Sequence, residues 1–181
     1  MPPRIRRLFI FWCKIPIDIH RKRRKCMKKE IIFEKLAWKL AKAFEETENL
    51  EKLLKKIVEL LADNVDYYDW VGFYLNDGEK LVLGPFVGEP TVHVEIPYGK
   101  GICGQAASTK QIFLVEDVTK ETNYLACSPK VKSEIVVPIM KGDKFFGELD
   151  IDSHTLNAFD ENDKRFLEKI CERLAEKFND R

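Results

Sequence analysis

The sequence predicts an α+β domain built on an antiparallel sheet, with helices packed on one face. Segments of helical periodicity lie near both ends of the chain, and between them short β-branched and aromatic runs alternate with turn signals. Turns of two or three residues join antiparallel neighbours, so hairpins should dominate the sheet. One domain is expected, because 181 residues of which 45% are hydrophobic build a single substantial core.

The charge is divided unevenly along the chain. Residues 1–29 contain eleven Lys or Arg and one Asp, which leaves twenty basic and twenty-nine acidic residues downstream, a net charge of −9. We therefore divide the chain into a basic extension, residues 1–27, and a domain, residues 28–181. The acidic domain argues against a basic face for nucleic acid.

The extension contains only a short apolar island at residues 8–12. Five residues are too few for a membrane span, which needs about 20, and for the core of a signal peptide. No membrane span is expected. We interpret the extension as a disordered tail, or as sequence upstream of a true start at Met27. The alternative is a basic arm that binds lipid or RNA.

Three amphipathic helices are predicted. Residues 31–46 and 50–61 carry apolar side chains at helical spacing, and residues 164–174 do so near the end of the chain. Polar residues at 159–163 mark the N-cap of the last helix. Cys171 falls on its apolar stripe and is interpreted as a core residue.

A first hairpin is predicted over residues 69–86, where Asn76-Asp77-Gly78 forms the turn. Trp70 and Tyr74 share one face of its first strand. They either form an aromatic wall around an apolar or sulfur-bearing ligand or pack in the core.

Shorter elements follow this hairpin. Strands are predicted at residues 92–97 and 111–115, and the glycine-rich residues 98–108 should turn into a short helix that contains Cys103. The exposed amides of that turn could hold an anion, although the spacing matches neither a P-loop nor a dinucleotide-binding motif. Residues 117–124 are polar and are expected to form an irregular loop.

The last hairpin carries a row of acids. Residues 133–138 form a buried-type strand, residues 141–143 a turn, and the following strand alternates acidic and apolar residues, which places three carboxylates on one face: Glu148, Asp150 and Asp152. Neighbours on this face lie roughly 7 Å apart and repel one another. The face is either solvated or a site for a positive group. The hairpin brings Glu134 near the row, and Cys127 precedes Glu134 by seven residues.

The five cysteines are at positions 13, 26, 103, 127 and 171. They form no CxxC pair and no Cys/His cluster with zinc-ligand spacing, so the sequence predicts no metal site. An odd number of widely spaced cysteines is typical of a reducing compartment, and we expect a cytoplasmic protein.

Several motifs together resemble a known family from about residue 30 to residue 176. They are DWVGFYL, LGPF, IPYGKGICGQAA, EDV, ACS, SEIVVPI, GELDIDS and FDENDKRFLE, in this order. The chain resembles the free methionine-(R)-sulfoxide reductases, a branch of the GAF domains. The resemblance implies a GAF domain with a six-stranded antiparallel sheet and flanking helices, commonly a homodimer. It also implies reduction of the R epimer of free methionine sulfoxide.

The resemblance also implies roles for individual residues. Cys127 matches the catalytic nucleophile, and Cys103 matches a cysteine that resolves or assists. The residues that match the substrate site are Glu134, Asp150, Asp152, Trp70 and Tyr74. The expected reaction oxidises Cys127 to a sulfenic acid, which a thiol then condenses to a disulfide. No bound cofactor is expected, and thioredoxin or another external thiol is the expected reductant.

One position departs from the family pattern. His93 stands ten residues before Cys103, where the family often has the main disulfide partner of the nucleophile. Either Cys103 or an external thiol must then resolve the sulfenic acid. Two alternatives to an enzyme remain, a GAF domain that senses a small ligand and a structural GAF domain that has lost activity.

Overall fold

The computed structural model describes residues 23–125 and 128–178, with side chains from Lys29 onward. The helices are α1 (Arg23–Glu46), α2 (Leu50–Asn64), α3 (Gly101–Thr109) and α4 (Glu161–Ala175). The strands are β1 (Trp70–Asn76), β2 (Lys80–Val87), β3 (Glu95–Pro97), β4 (Phe113–Val115), β5 (Ser133–Lys141) and β6 (Lys144–Ser153). None of the helices in these ranges combines the length and the apolar character that a membrane span needs.

Parts of the sequence prediction lie outside the described residues. Cys127, most of the basic extension and Cys13 are among them. Helix α1 begins at Arg23, eight residues before the predicted start. The boundary between the extension and the domain stays a prediction.

The predicted amphipathic helices form where their apolar stripes can be buried. Helix α2 begins where the Asn49 side chain accepts a hydrogen bond from the Lys52 amide at 2.9 Å. Helix α4 begins with a capping box. The Asp160 side chain accepts the backbone amide of Asp163, and the Asp163 side chain accepts the backbone amide of Asp160. Cys171 is buried on the apolar stripe of α4, which confirms that it is a core residue.

The six strands form one antiparallel sheet in the order β3-β2-β1-β6-β5-β4. The hairpin of β5 and β6 turns at Gly142, whose φ of 58° is the left-handed conformation that favours glycine. The two edge strands are shorter than predicted, because β3 includes only the end of residues 92–97 and β4 only the end of residues 111–115. A 3-10 turn at Val118–Lys120 interrupts the predicted irregular loop.

The two faces of the sheet bury different side chains. One face is apolar and packs against α1, α2 and α4 through side chains that include Val71, Phe73, Ile135, Val137, Leu149 and Ile151. The other face carries the aromatic and acidic residues and lies beneath α3. The expectation that all helices pack on one face is therefore wrong for α3. The buried side of α3 consists mainly of Gly, Ala and Cys. The sequence of this nine-residue helix therefore shows little helical periodicity of apolar residues, although the helix packs closely on the sheet.

Candidate active site

The row of acids on β6 is confirmed, and both neighbouring strands frame it. Asp152 lies between Trp70 on β1 and Glu134 on β5, so Glu134 lies near the acids as predicted. Asp150 lies between Gly72 and Val136, and Glu148 between Tyr74 and Pro138. Four carboxyl groups thus share one face in the middle of the sheet.

This face is buried, so it is not a solvated surface. Glu148, Asp150, Asp152 and Glu134 are each at most 4% exposed. No hydrogen-bond donor among residues 23–125 and 128–178 reaches either oxygen of Glu148, either oxygen of Asp152 or Oδ1 of Asp150. An anion without a partner is costly in such a place, so the arrangement calls for protons or for a cation.

Burial changes the protonation of these acids. Burial, followed by the charge of Asp150, raises the pKa values of Glu134, Glu148 and Asp152 well above the usual range of carboxyl groups. Burial also raises the pKa of Asp150 to about 7, and the hydrogen bond from the Cys103 thiol acts in the opposite direction. Near neutral pH, Glu134, Glu148 and Asp152 therefore favour the protonated form, whereas Asp150 is divided between its two forms. A protonated carboxyl can donate a hydrogen bond.

Helix α3 places Cys103 directly against the acids. The Cys103 Sγ lies 3.3 Å from Asp150 Oδ2 and 3.8 Å from Glu134 Oε1. Gly104 allows this close approach of α3, because a Cβ at that position would lie 2.6 Å from the Pro97 carbonyl oxygen. Of the two cysteines whose side chains the structure describes, Cys103 lies beside the acid row and Cys171 lies in the helical core.

Trp70 and Tyr74 lie on the same face, beside the acids. Their rings stack with centroids 6.2 Å apart, and Trp70 also stacks on Phe86. Gly72 makes room for the indole, because a Cβ there would lie 2.2 Å from Trp70 Cη2. The Tyr74 hydroxyl donates to the His93 carbonyl oxygen at 2.9 Å, and the Trp70 Nε1 donates to the Glu89 carbonyl oxygen at 3.1 Å.

A cavity of about 250 Å³ opens beside Trp70 and Asp152. Its lining includes Glu89, Pro90 and Thr91 from the segment after β2, and also Ser128, Pro129 and Val131. Ser128 follows Cys127 directly in the chain. The remaining lining residues are Asp69 and His154, which pair with each other through a 3.3 Å contact between Asp69 Oδ1 and His154 Nδ1.

The described part of the predicted site is thus brought together. Cys103, Glu134, Asp150, Asp152, Trp70 and Tyr74 all lie on or above one face of the sheet. Tyr74 is buried within this group, whereas Trp70 also lines the cavity, so the aromatic pair serves both packing and the cavity wall. The position of Cys127 relative to them stays a prediction.

Sequence reasoning assigned no role to Glu148, Asp69 or His154. Glu148 belonged to the alternating row of acids, and that pattern was the available signal. Nothing in the alternation shows that the row is buried. Asp69 and His154 flank β1 and β6, and no pattern distinguished them from other polar residues at strand ends.

The comparisons with known proteins agree with this arrangement. The model of the GAF domain family matches residues 49–177. The free methionine-R-sulfoxide reductase of Saccharomyces cerevisiae is 45% identical over 127 residues, 68% of this chain and 68% of its own length. The chain belongs to the GAF family and, within it, to the free methionine-R-sulfoxide reductases. The predicted fold class and family are confirmed, and the chain is an oxidoreductase of this family.

Solved structures show the same likeness. The free methionine-R-sulfoxide reductase of Staphylococcus aureus in complex with substrate superposes with a TM-score of 0.74 and 42% identity, covering 80% of this chain and 94% of its own. A putative GAF sensor protein from Burkholderia vietnamiensis superposes with a TM-score of 0.77 and 35% identity, covering 82% and 94%. The fold alone therefore does not separate an enzyme from a sensor, and the site residues must do so.

Proposed function

We propose that this chain reduces free methionine-(R)-sulfoxide to methionine by thiol chemistry. One observation carries the proposal, namely the buried row of carboxyl groups that lack partners beside a cavity lined by Trp70 and Asp152. A free amino acid supplies an ammonium group, which residues within a peptide chain lack. The names of the relatives support the same substrate.

The acids and the aromatic rings have complementary tasks in this proposal. The substrate ammonium favours the charged form of the carboxyl that it meets, so Glu134 or Asp152 gives its proton to solvent as it binds the ammonium. Trp70 and Tyr74 enclose the methyl sulfoxide, since sulfur groups pack favourably against aromatic rings. A carboxyl that retains its proton donates to the sulfoxide oxygen.

The redox step uses Cys127 as the nucleophile. Its thiolate attacks the sulfoxide sulfur while one of Glu134, Asp150 or Asp152 protonates the departing oxygen. A sulfur–sulfur bond forms, and the oxygen takes a second proton from solvent and leaves as water. Water then attacks the Cys127 sulfur, and the electron pair of the sulfur–sulfur bond passes to the methionine sulfur. Cys127 is thereby oxidised to a sulfenic acid, and the sulfoxide is reduced to the thioether of methionine. A thiol then attacks the sulfenic acid, which releases water and leaves a disulfide.

The thiol that completes the cycle is either Cys103 or an external one. His93 occupies the position of the family's usual third cysteine, and it contributes a backbone oxygen to Tyr74. Cys103 is 5% exposed on the buried side of α3, so an external protein such as thioredoxin has little access to its sulfur. We propose that Cys103 resolves the sulfenic acid within the chain and that thioredoxin or a similar thiol reduces the resulting disulfide. A cytoplasmic homodimer completes the proposal.

The test is turnover of the two epimers of free methionine sulfoxide by Cys127→Ser and by Cys171→Ser, a matched control in the helical core. The unsubstituted protein and Cys171→Ser should release methionine from the R epimer and not from the S epimer. Cys127→Ser should lose at least on the order of 10³ in kcat, because the nucleophile is gone. Unchanged turnover by Cys127→Ser would refute the assignment of the nucleophile. Binding of the R epimer without release of methionine by the unsubstituted protein would identify a sensor instead.

A further inference from the structure

Three potential metal ligands from three separate elements meet at the acid row. Cys103 on α3, Glu134 on β5 and Asp150 on β6 place one sulfur and two carboxylate oxygens within 4.8 Å of one another. All three side chains are buried. Because the residues are 31 and 16 positions apart in the chain, the short ligand spacings of common zinc motifs do not reveal this group.

The spacing of these atoms is close to that of ligands on one zinc ion. Zinc binds thiolate sulfur at about 2.3 Å and carboxylate oxygen at about 2.1 Å with tetrahedral angles, so the sulfur and an oxygen on one ion lie about 3.6 Å apart. The Cys103 Sγ lies 3.3 Å from Asp150 Oδ2 and 3.8 Å from Glu134 Oε1. Only small shifts are needed to bring the three donors around one cation.

A second observation points to a cation at this place. Asp152 is 1% exposed, and neither of its oxygens has a hydrogen-bond partner among residues 23–125 and 128–178. Asp152 lies opposite Glu134 in the sheet and on the same face as Asp150. It also lines the 250 Å³ cavity, so the cavity gives a route from solvent to the edge of the group.

We propose that the reduced protein binds one Zn²⁺ ion through Cys103, Glu134 and Asp150. The Cys103 thiol gives its proton to solvent as its sulfur binds the ion, and protons on Glu134 and Asp150 leave in the same way, because thiolate and carboxylate are the binding forms. Three protein ligands leave the fourth position of the tetrahedron to water or to another ligand. The site was not predicted from the sequence, which indicated no metal.

Zinc and substrate use the same acids. If the proposed function is correct, Zn²⁺ occupies the carboxylates that hold the substrate ammonium, and it raises the KM for methionine-(R)-sulfoxide. This consequence rests on the proposed function. Direct binding of zinc in the absence of substrate does not, so the two proposals fail separately.

The experiment is a titration of the reduced full-length chain with Zn²⁺ by calorimetry, repeated with Co²⁺ as a spectroscopic probe. Variants are Cys103→Ser and its matched control Cys171→Ser, the second buried thiol of the described chain. We expect one bound ion in the unsubstituted protein and in Cys171→Ser, and a thiolate-to-cobalt charge-transfer band. In Cys103→Ser the Kd for zinc should rise at least about tenfold and the band should disappear.

A third variant keeps the test valid if Cys103→Ser does not fold. Glu134→Gln retains the thiol and should also weaken zinc binding at least about tenfold. Asp69→Asn, which changes a cavity carboxylate outside the three ligands, should leave the Kd unchanged. An unchanged Kd in the folded Cys103→Ser variant would place the ion on other cysteines and overturn the proposal. So would a cobalt-loaded protein without the charge-transfer band.

Discussion

Two sets of buried acids in this molecule differ in whether the protein supplies their partners. Asp163 at the start of α4 is fully buried, and its oxygens accept from Lys29 Nζ at 2.7 Å, from Tyr67 and Tyr68 at 2.6 and 3.0 Å, and from the Asp160 amide at 2.9 Å. Glu148 is equally buried, and no described donor reaches either of its oxygens.

The difference separates a structural role from a binding role. Asp163 is satisfied within the chain and joins α1 to α4 and to the tyrosines before β1, so its charge serves the fold. Within residues 23–125 and 128–178, the row on β6 has no cation and few hydrogen-bond donors, so it gains most from a ligand that enters. Removing a partner should therefore lower stability in the first set, whereas removing a carboxyl group should raise stability in the second.

The largest effect is expected when the cation of the satisfied set is removed. Lys29→Met leaves Asp163 buried with a charge and without its counterion, which should lower the free energy of unfolding by about 3–5 kcal/mol. Urea unfolding followed by circular dichroism measures this change. Turnover by the folded variant should remain, because Lys29 lies on the helical side of the sheet.

Lys39→Met on the same helix is the control. Its Nζ lies on the exposed surface, where it donates to Asn64 Oδ1 at 2.6 Å. This substitution should change stability by no more than about 0.5 kcal/mol. Equal effects at Lys29 and Lys39 would show that Asp163 does not depend on its counterion.

For the acid row on β6, a substitution should raise the free energy of unfolding instead of lowering it. Glu148→Gln keeps the shape of the side chain and removes a carboxyl that is buried beside Asp150 without a donor. At neutral pH the free energy of unfolding should rise by about 1–3 kcal/mol, because the raised pKa of Glu148 makes folding take up a proton that the unfolded chain lacks, and Gln removes this cost. The measurement is urea unfolding in the presence of a chelator, so that no metal ion contributes.

Glu95→Gln provides the comparison for a surface acid. Glu95 is exposed and pairs with Lys80 at 2.8 Å, an arrangement that contributes at most about 1 kcal/mol. The Glu95→Gln substitution should leave the free energy of unfolding nearly unchanged or lower it slightly. A loss of stability in Glu148→Gln would mean that the carboxyl has a stabilising partner in the folded protein.

The sequence was sufficient where local rules determine the result. The turn at Gly142 joins β5 to β6, so the sequence was enough to predict that Glu134 lies near the acids of β6. The exact partner was not predictable, because a register shift just after Ile139 puts Glu134 opposite Asp152. Asp160 was likewise identifiable as a helix cap from its neighbours.

Contacts between distant segments could not be predicted in this way. Burial of the acid row depends on where α3 packs, and a short helix of Gly, Ala and Cys does not indicate which face of a sheet it covers. Lys29 was counted with the basic extension, yet it is 5% exposed and binds Asp163, 134 residues away. The proximity of Cys103 to Asp150 is likewise a contact between distant segments and could not be predicted from local patterns.

The smallest expected effect concerns alkaline pH and the two tyrosines that bind Asp163. Burial, followed by the charge of Asp163, raises the pKa values of Tyr67 and Tyr68 well above the ordinary tyrosine value. Above about pH 10 both tyrosines ionise in the unfolded chain but stay neutral in the folded one. The stability that they contribute is therefore complete below pH 10 and is lost as the pH rises further. Well above pH 10, the ionisation of each tyrosine in the unfolded chain lowers the free energy of unfolding by about 1.4 kcal/mol per pH unit.

Replacing one tyrosine should reduce this slope. Tyr68→Phe removes one ionising group, so stability should fall by about 1 kcal/mol less between pH 10 and pH 11, because a tyrosine in the unfolded chain is only half ionised at pH 10. The absolute stability of the variant at pH 7 should be lower, because Asp163 loses a hydrogen bond of 3.0 Å. Tyr98→Phe, at a partly exposed tyrosine, should change the slope less. Equal slopes of the free energy of unfolding against pH in Tyr68→Phe and the unsubstituted protein would show that Tyr68 ionises in the folded state. A second negative charge would then lie beside Asp163, and Asp163 would no longer differ from the acid row in being fully satisfied.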